Sequence, residues 1–293
     1  MRLVAYRDGP NLKSLGTWLG TGHPGSRHRR RRADRKEAME AKSDLIARNI
    51  GTLKISPSMQ ERLREFVSQV VDLYAGDLVS VTAFGSAVTG DYEMEESDIN
   101  LLIVHSDLEI AELARVADLS RRCLRKHRIA PRFLSRRNIE DSVDYFQIDF
   151  ISMRDAHVVL CGEDVLAGIE LRPEQLRRQI AYEIKAMRMR LKQQYWRTVD
   201  DPQRMRVVLI ERFNSLIHLM RALIVLSGQP APAMRRDTID TAAALFEIDR
   251  ACAADLLDLR RGKKADRDAL NRLFTGLMEM IRMIDARVGE MGL

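Results

Sequence analysis

Apolar positions recur with a helical period through "SPSMQERLREFVSQVVDLYAG", residues 56–76. Met59, Leu63, Phe66, Val67, Val70, Val71 and Leu73 fall on one stripe, Ser58 and Glu61 have capping-box spacing, and Gly76 is a stop signal. "LVSVTAF" (78–84) is β-branched and aromatic and predicts a strand; "INLLIVH" (99–105) predicts a second one, apolar on both faces. An amphipathic helix follows over 108–127, then a short strand in "APRFLS" and a short helix in "RRNIEDSVDYF". "FQIDFISM" (146–153) alternates, with Phe146, Ile148 and Phe150 against Gln147 and Asp149, and reads as a strand; if it neighbours the second strand, Asp149 can meet Asp98.

Beyond about Gly168 the strand pattern stops. Long helical periods occupy "RPEQLRRQIAYEIKAMRMRLKQQYWRTV" and "PQRMRVVLIERFNSLIHLMRALIVLSG", with three more helical segments after them. Trp196 and the Met-rich "LMEMIRMI" are expected in the core. The expected fold class is α+β: a mixed-sheet domain over 41–168 and an all-helical domain over 169–293. Residues 1–40 are rich in Gly and Arg without an apolar period, and are expected to be a disordered tail.

Charge changes this picture only at one end. The chain carries +6. Residues 1–40 hold ten Lys+Arg and four Asp+Glu, so the remaining 38 of each sign cancel. The basic run "RHRRRRADRK" can contact nucleic acid, or it is an extension upstream of a start at Met39. The longest apolar stretch, "LIHLMRALIVL", is short and carries Arg221, which argues against a membrane span. Cys123, Cys161 and Cys252 show neither a disulfide framework nor zinc spacing, as expected for a reducing, cytoplasmic compartment.

The chemistry concentrates in "GSAVTGDYEMEESDIN", residues 85–100. Gly85 permits close approach of a phosphate, and the Ser86 hydroxyl can hydrogen-bond it. Asp98 and Asn100 stand two apart where a strand begins, so both face one way, about 7 Å apart. Asp149, an acid in an apolar segment, is costly unless partnered or metal-bound. Mg²⁺ or Mn²⁺ favours a few carboxylates together with substrate phosphates. A phosphate turn beside such acids is what phosphoryl or nucleotidyl transfer needs. Glu95 and Glu96, just before Asp98, can also reach a metal or substrate.

These residues resemble the nucleotidyltransferase superfamily, which includes DNA polymerase beta and the aminoglycoside nucleotidyltransferases. The resemblance covers about residues 55–168. It implies a polymerase-beta-like fold, with Gly85 and Ser86 as nucleotide-binding turn and Asp98 and Asp149 as catalytic metal acids. Asn100 departs from the pattern, because the family has an acid there. "HVVLCGEDVLAG" and the helical half are similar to bacterial nucleotidyltransferase domain-containing proteins.

Three functions follow. The first is metal-dependent transfer of a nucleoside monophosphate from an NTP to a hydroxyl of a small molecule, protein or RNA end, weakened by Asn100. The second is a catalytically silent nucleotide-binding or regulatory protein of the same fold. The third rests on Arg212 and His218 in "RFNSLIH", which resemble the ribonuclease motif of HEPN domains and imply a homodimer. In two-domain relatives the helical half closes the cleft, and a cation among Lys185, Arg188, Arg190 and Lys192 can meet the triphosphate. A general base is not identifiable from the sequence.

Overall fold

The computed structural model describes residues 43–74, 76–92, 97–107 and 110–291; the basic tail and the Glu95–Glu96 pair lie outside them. Residues 43–293 cluster as one compact unit. A helical segment over 43–51 (α1) leads into α2 (Pro57–Tyr74). Here the cap differs from expectation. The Met59 backbone N–H donates to Ser56 Oγ at 3.4 Å, so Ser56 caps the helix, with Pro57 in its first turn where the missing N–H costs nothing. Ser58 lies inside the helix and is not the cap.

Strand β1 (Leu78–Phe84) runs into a four-residue helix, α3 (Ser86–Thr89). Then come β2 (Ile99–His105), α4 (Ile110–His127), β3 (Ile129–Ser135) and α5 (Arg136–Ser142). The sheet has order β3-β2-β1-β4, with β1 antiparallel to β2 and to β4 (His157–Gly162), and β2 parallel to β3. Strand β2 is central and buried nearly throughout, as its apolar run predicts. One sheet face, with Val81, Ala83, Leu101 and Ile103, packs on α1, α2 and α4. The other face, with Phe84, Leu102 and Val104, packs on α5 and on residues 150–169.

"FQIDFISM" is not a strand. Residues Gln147–Arg154 form a helix, α6, and the fourth strand is the β-branched "HVVLCG" after it. The burial pattern shows why alternation misled. Ile148 and Ile151 join the core of the helical half, whereas Phe150 and Met153 join the core against the sheet. A short helix buried on two sides leaves one polar stripe, and over eight residues that imitates period two.

The helical half consists of α7 (Pro173–Thr198), α8 (Pro202–Leu226), α9 (Arg235–Phe246), α10 (Arg250–Arg260) and α11 (Arg267–Glu290). Its core is built from Leu, Ile, Met and Phe, including Leu277, Met280, Ile281 and Ile284 of the Met-rich segment. Trp196 is not in it: the ring is 66% exposed, with the Arg197 guanidinium 5.3 Å from its centroid. Among the described residues no helix is long and apolar enough to cross a membrane.

Candidate functional site

A cleft of about 480 Å³ lies between the sheet domain and the helical half. That is the size range of small-ligand pockets. Gly85, Ser86, Asp98, Asn100 and Asp149 all line it, so the five residues chosen from the sequence for nucleotide and metal come to one place.

Each arrives for a local reason. Gly85 ends β1 with φ 78°, a left-handed value that favours glycine. A Cβ there would stand 3.6 Å from Asn100 Nδ2, so the bare turn sits directly over the amide. Asn100 pairs with Phe84 across β1–β2 and faces α6. Asp149 reaches the cleft from the polar stripe of α6, not from a strand. Ser152, three residues on, shares that stripe and also lines the cleft.

The acids are not bare. Asp98 pairs with Arg128 (Oδ1 to Nε, 3.1 Å) and Asp149 with Arg132 (Oδ1 to a guanidinium nitrogen, 3.7 Å). Both carboxylates are about half exposed, so these pairs are exchangeable rather than buried. Arg128 holds its position with φ 53°, unusual for a non-glycine residue. It brackets the start of β2: its carbonyl accepts from the Ile99 N–H at 2.8 Å and its Nε donates to the Ser97 carbonyl at 3.3 Å. Arg132 lies over the Phe84 ring, 5.8 Å from its centroid.

The opposite wall supplies cations that sequence reasoning missed. Arg221, Arg235 and Arg260 line the cleft from α8, α9 and α10. Arg221 donates to Thr238 Oγ1 at 3.1 Å and to the Ala233 carbonyl. Burial lowers its pKa, and Asp91 and Asp155 oppose that lowering. The Arg235 backbone N–H donates to Asp91 Oδ2 at 2.6 Å, and its guanidinium donates to the Asp91 carbonyl at 3.1 Å. Arg260 is only 4% exposed and donates to Ser97 Oγ at 3.2 Å. Thus both described ends of the loop before Asp98 are tied to the helical half. One signal was available: Arg221 interrupts an apolar run, and a buried cation needs a partner. Of the cations expected on α7, Lys185 and Arg188 instead pair with Asp285, at 3.2 and 2.7 Å. Glu183 does line the cleft.

His218 also faces the cleft, on α8, with Nδ1 3.0 Å from Ser152 Oγ. Its ring is open to the cavity. Desolvation by the crowded walls, followed by the charges of Arg221, Arg235 and Arg132, pushes its pKa down to about 4. Arg212 does not share this position; it lies beside Glu211 at 3.9 Å. The two residues of the ribonuclease-like motif therefore do not meet at the cleft. Asn214, one turn from His218, has a buried Oδ1 with no hydrogen-bond partner among the described residues.

No family model matches the sequence, and no curated protein matches it. The structure does find neighbours. A crystal structure of spectinomycin adenyltransferase AAD(9) from Enterococcus faecialis, with ATP and spectinomycin, aligns with TM-score 0.51. The match covers 78% of this chain and 98% of that one, at 12% identity. The chain has the nucleotidyltransferase fold. It is the polymerase-beta-like form, a mixed four-stranded sheet followed by a C-terminal helical region.

The nucleotidyltransferase fold generally accompanies divalent metal, so the donors need testing against one. They are all oxygen, as Mg²⁺ and Mn²⁺ prefer. Among the described residues, however, no three His, Cys, Asp or Glu side chains gather as a metal cluster. Two carboxylates and one amide fit a single hard cation carried in with substrate phosphates.

Proposed function

We propose that the chain is a nucleotidyltransferase: it binds an NTP in the cleft and passes the nucleoside monophosphate to a hydroxyl acceptor, releasing pyrophosphate. The observation that carries this reading is the convergence of the Gly85–Ser86 turn, Asp98, Asn100 and Asp149 on one cleft walled by Arg221, Arg235 and Arg260. The glycine turn and the arginines suit a triphosphate, because guanidinium groups bind phosphate oxygens in pairs. Asp98 and Asp149 would hold Mg²⁺ or Mn²⁺, with Asn100 Oδ1 as a neutral third oxygen. Such a cation, when bound, neutralises charge on the phosphates. Arg128 and Arg132 then have phosphate oxygens as alternative partners. A small-molecule acceptor is the class favoured by comparison with a neighbour that holds spectinomycin.

A second reading has its own support. Asn100 in place of an acid, with each remaining acid paired to an arginine, suits a protein that binds nucleotide without turning it over. One experiment separates the two. Wild type and Asp98→Ala are incubated with Mg²⁺, each NTP labelled at the α-phosphate and a panel of small hydroxyl acceptors that includes spectinomycin, and pyrophosphate release and nucleotide-linked thermal stabilisation are recorded. Transfer predicts both signals in wild type and neither in the variant. Stabilisation without pyrophosphate selects the silent binder. The absence of both in wild type overturns the pocket assignment.

A further inference from the structure

The cleft contains a hydroxyl paired with a base. Ser152 stands one helical turn from Asp149 on the same face of α6, a separation of about 5–6 Å between Cβ atoms. Its Oγ is 3.0 Å from His218 Nδ1, and both side chains line the cavity. Of the other hydroxyls there, Thr89 accepts from the Asp91 backbone N–H at 3.4 Å. Ser215 donates to the Glu211 carbonyl at 3.1 Å, and Ser97 accepts from Arg260 at 3.2 Å. Among the described residues lining the cleft, Ser152 is the hydroxyl that meets an imidazole. A nucleophile within hydrogen-bond reach of a base is the usual arrangement of an activated serine.

We infer that Ser152 is itself a nucleotidyl acceptor, so that the chain modifies its own cleft with His218 as the base. The inference rests on the transfer reading above. Ser152 Oγ attacks the α-phosphorus of the bound NTP, the Oγ–Pα bond forms, and the bond from Pα to the bridging oxygen breaks. Pyrophosphate leaves with that electron pair, and the hydroxyl proton passes to His218 Nδ1. The product is a phosphodiester of Ser152 with the nucleoside, formed without oxidant or co-reactant.

Two further features support the roles. Burial, followed by the nearby arginine charges, keeps His218 neutral well below neutral pH, so with the proton on Nε2 its Nδ1 lone pair is available to the hydroxyl. The arginines that weaken it as a base, Arg221, Arg235 and Arg132, belong to the walls a triphosphate would occupy. Bound phosphate offsets their charge, so the base strengthens when the substrate is present. The adduct would fill the cleft, which makes it either an intermediate that a second hydroxyl discharges or a block on further binding.

The test uses the full-length chain, Mg²⁺ and each of the four NTPs labelled at the α-phosphate. Intact mass and peptide mapping of wild type should show one added nucleotide residue on the peptide carrying Ser152. Ser152→Ala should lose the label, Ser152→Thr should keep part of it, and His218→Gln should label about 100-fold more slowly, the usual range for loss of a general base. All three should retain nucleotide-linked stabilisation, which separates chemistry from folding. Label that maps elsewhere in wild type, or persists in Ser152→Ala, overturns the inference. Pyrophosphate release with an unmodified chain overturns it while leaving nucleotidyl transfer standing. Stabilisation by nucleotide with neither pyrophosphate nor label overturns the inference, and the transfer reading is then decided by the acceptor panel above.

Discussion

The two walls of the cleft hold their charges in different ways. On the sheet side, Asp98 and Asp149 are about half exposed and paired with arginines of their own domain, Arg128 and Arg132. On the helical side, Arg221 is part-buried and Arg260 buried, and both are hydrogen-bonded to protein oxygens. The acids are therefore cheap to release and the arginines are not. Exposed ion pairs contribute about 0–1 kcal/mol, whereas leaving a buried polar group unpaired costs about 1–3 kcal/mol. The sheet wall is built to exchange partners, and the helical wall is built to stay in place.

The comparison breaks most visibly at Asp98. Asp98→Ala should leave folding nearly unchanged, because the pair lost is exposed, yet reduce NTP-linked pyrophosphate release on the order of a hundredfold or more. Thermal melting without ligand, beside a pyrophosphate assay, checks both halves. A melting loss as large as that of a core substitution would show that Asp98 is structural.

Arg260→Ala should do the reverse. The side chain is 4% exposed and reaches across the domains to Ser97, one residue before Asp98. Its removal should lower unfolding free energy by about 2 kcal/mol in urea denaturation. Nucleotide affinity should also fall, since the loop before Asp98 loses a tie. Retention of full stability would mean that the helical wall is no firmer than the sheet wall.

What was legible in the sequence follows the same division. Gly85, Ser86, Asp98 and Asn100 are close in sequence and share a turn and a strand, so spacing alone places them together. Asp149 was found as a residue but assigned to the wrong element, because a helix buried on two sides mimics alternation. The strand "HVVLCG", which pairs with β1 at the edge of the sheet, was not read as a strand. Arg235 and Arg260 carry no local signal: their roles depend on where α9 and α10 pack, which is a tertiary property. His218 was noticed for the resemblance of "RFNSLIH" to a ribonuclease motif, while its hydrogen-bond partner Ser152 lies 66 residues away in sequence.

A smaller effect sharpens the sheet wall. Asn100→Asp is nearly isosteric and restores a third acid beneath the Gly85 turn. Added ligand charge should raise Mg²⁺ affinity about tenfold in a calorimetric titration with nucleotide present. Without metal the new carboxylate repels Asp98 and Asp149, although Arg128 and Arg132 absorb part of the cost, so stability should fall by about 0.5–1 kcal/mol. If Mg²⁺ affinity and stability both stay unchanged, the amide has a purely structural role.

The smallest expected effect tests the electrostatics shared by both walls. His218 is surrounded by Ser152 from α6, Arg221 from its own helix, Arg235 from α9 and Arg132 from β3, and its pKa is lowered from 6.5 to about 4. The unfolded chain therefore binds a proton near pH 6.5 that the folded chain refuses until about pH 4. In that window the unfolded state holds more protons, so this group's contribution makes stability rise with pH. The contribution is fully present above pH 6.5 and is lost as pH falls toward 4. Because the ring opens into the cavity, solvent screening reduces the effect to about 1 kcal/mol. Carboxylates add their own acid dependence, so the informative quantity is a difference. Wild type should lose about 1 kcal/mol more than His218→Gln between pH 6.5 and pH 4.5. Saturating nucleotide should shrink that gap, because bound phosphate offsets the three arginines and raises the imidazole toward its ordinary value. Identical pH profiles for the two proteins would mean that the cleft is wet enough to screen His218, and that the helical wall does not tune it.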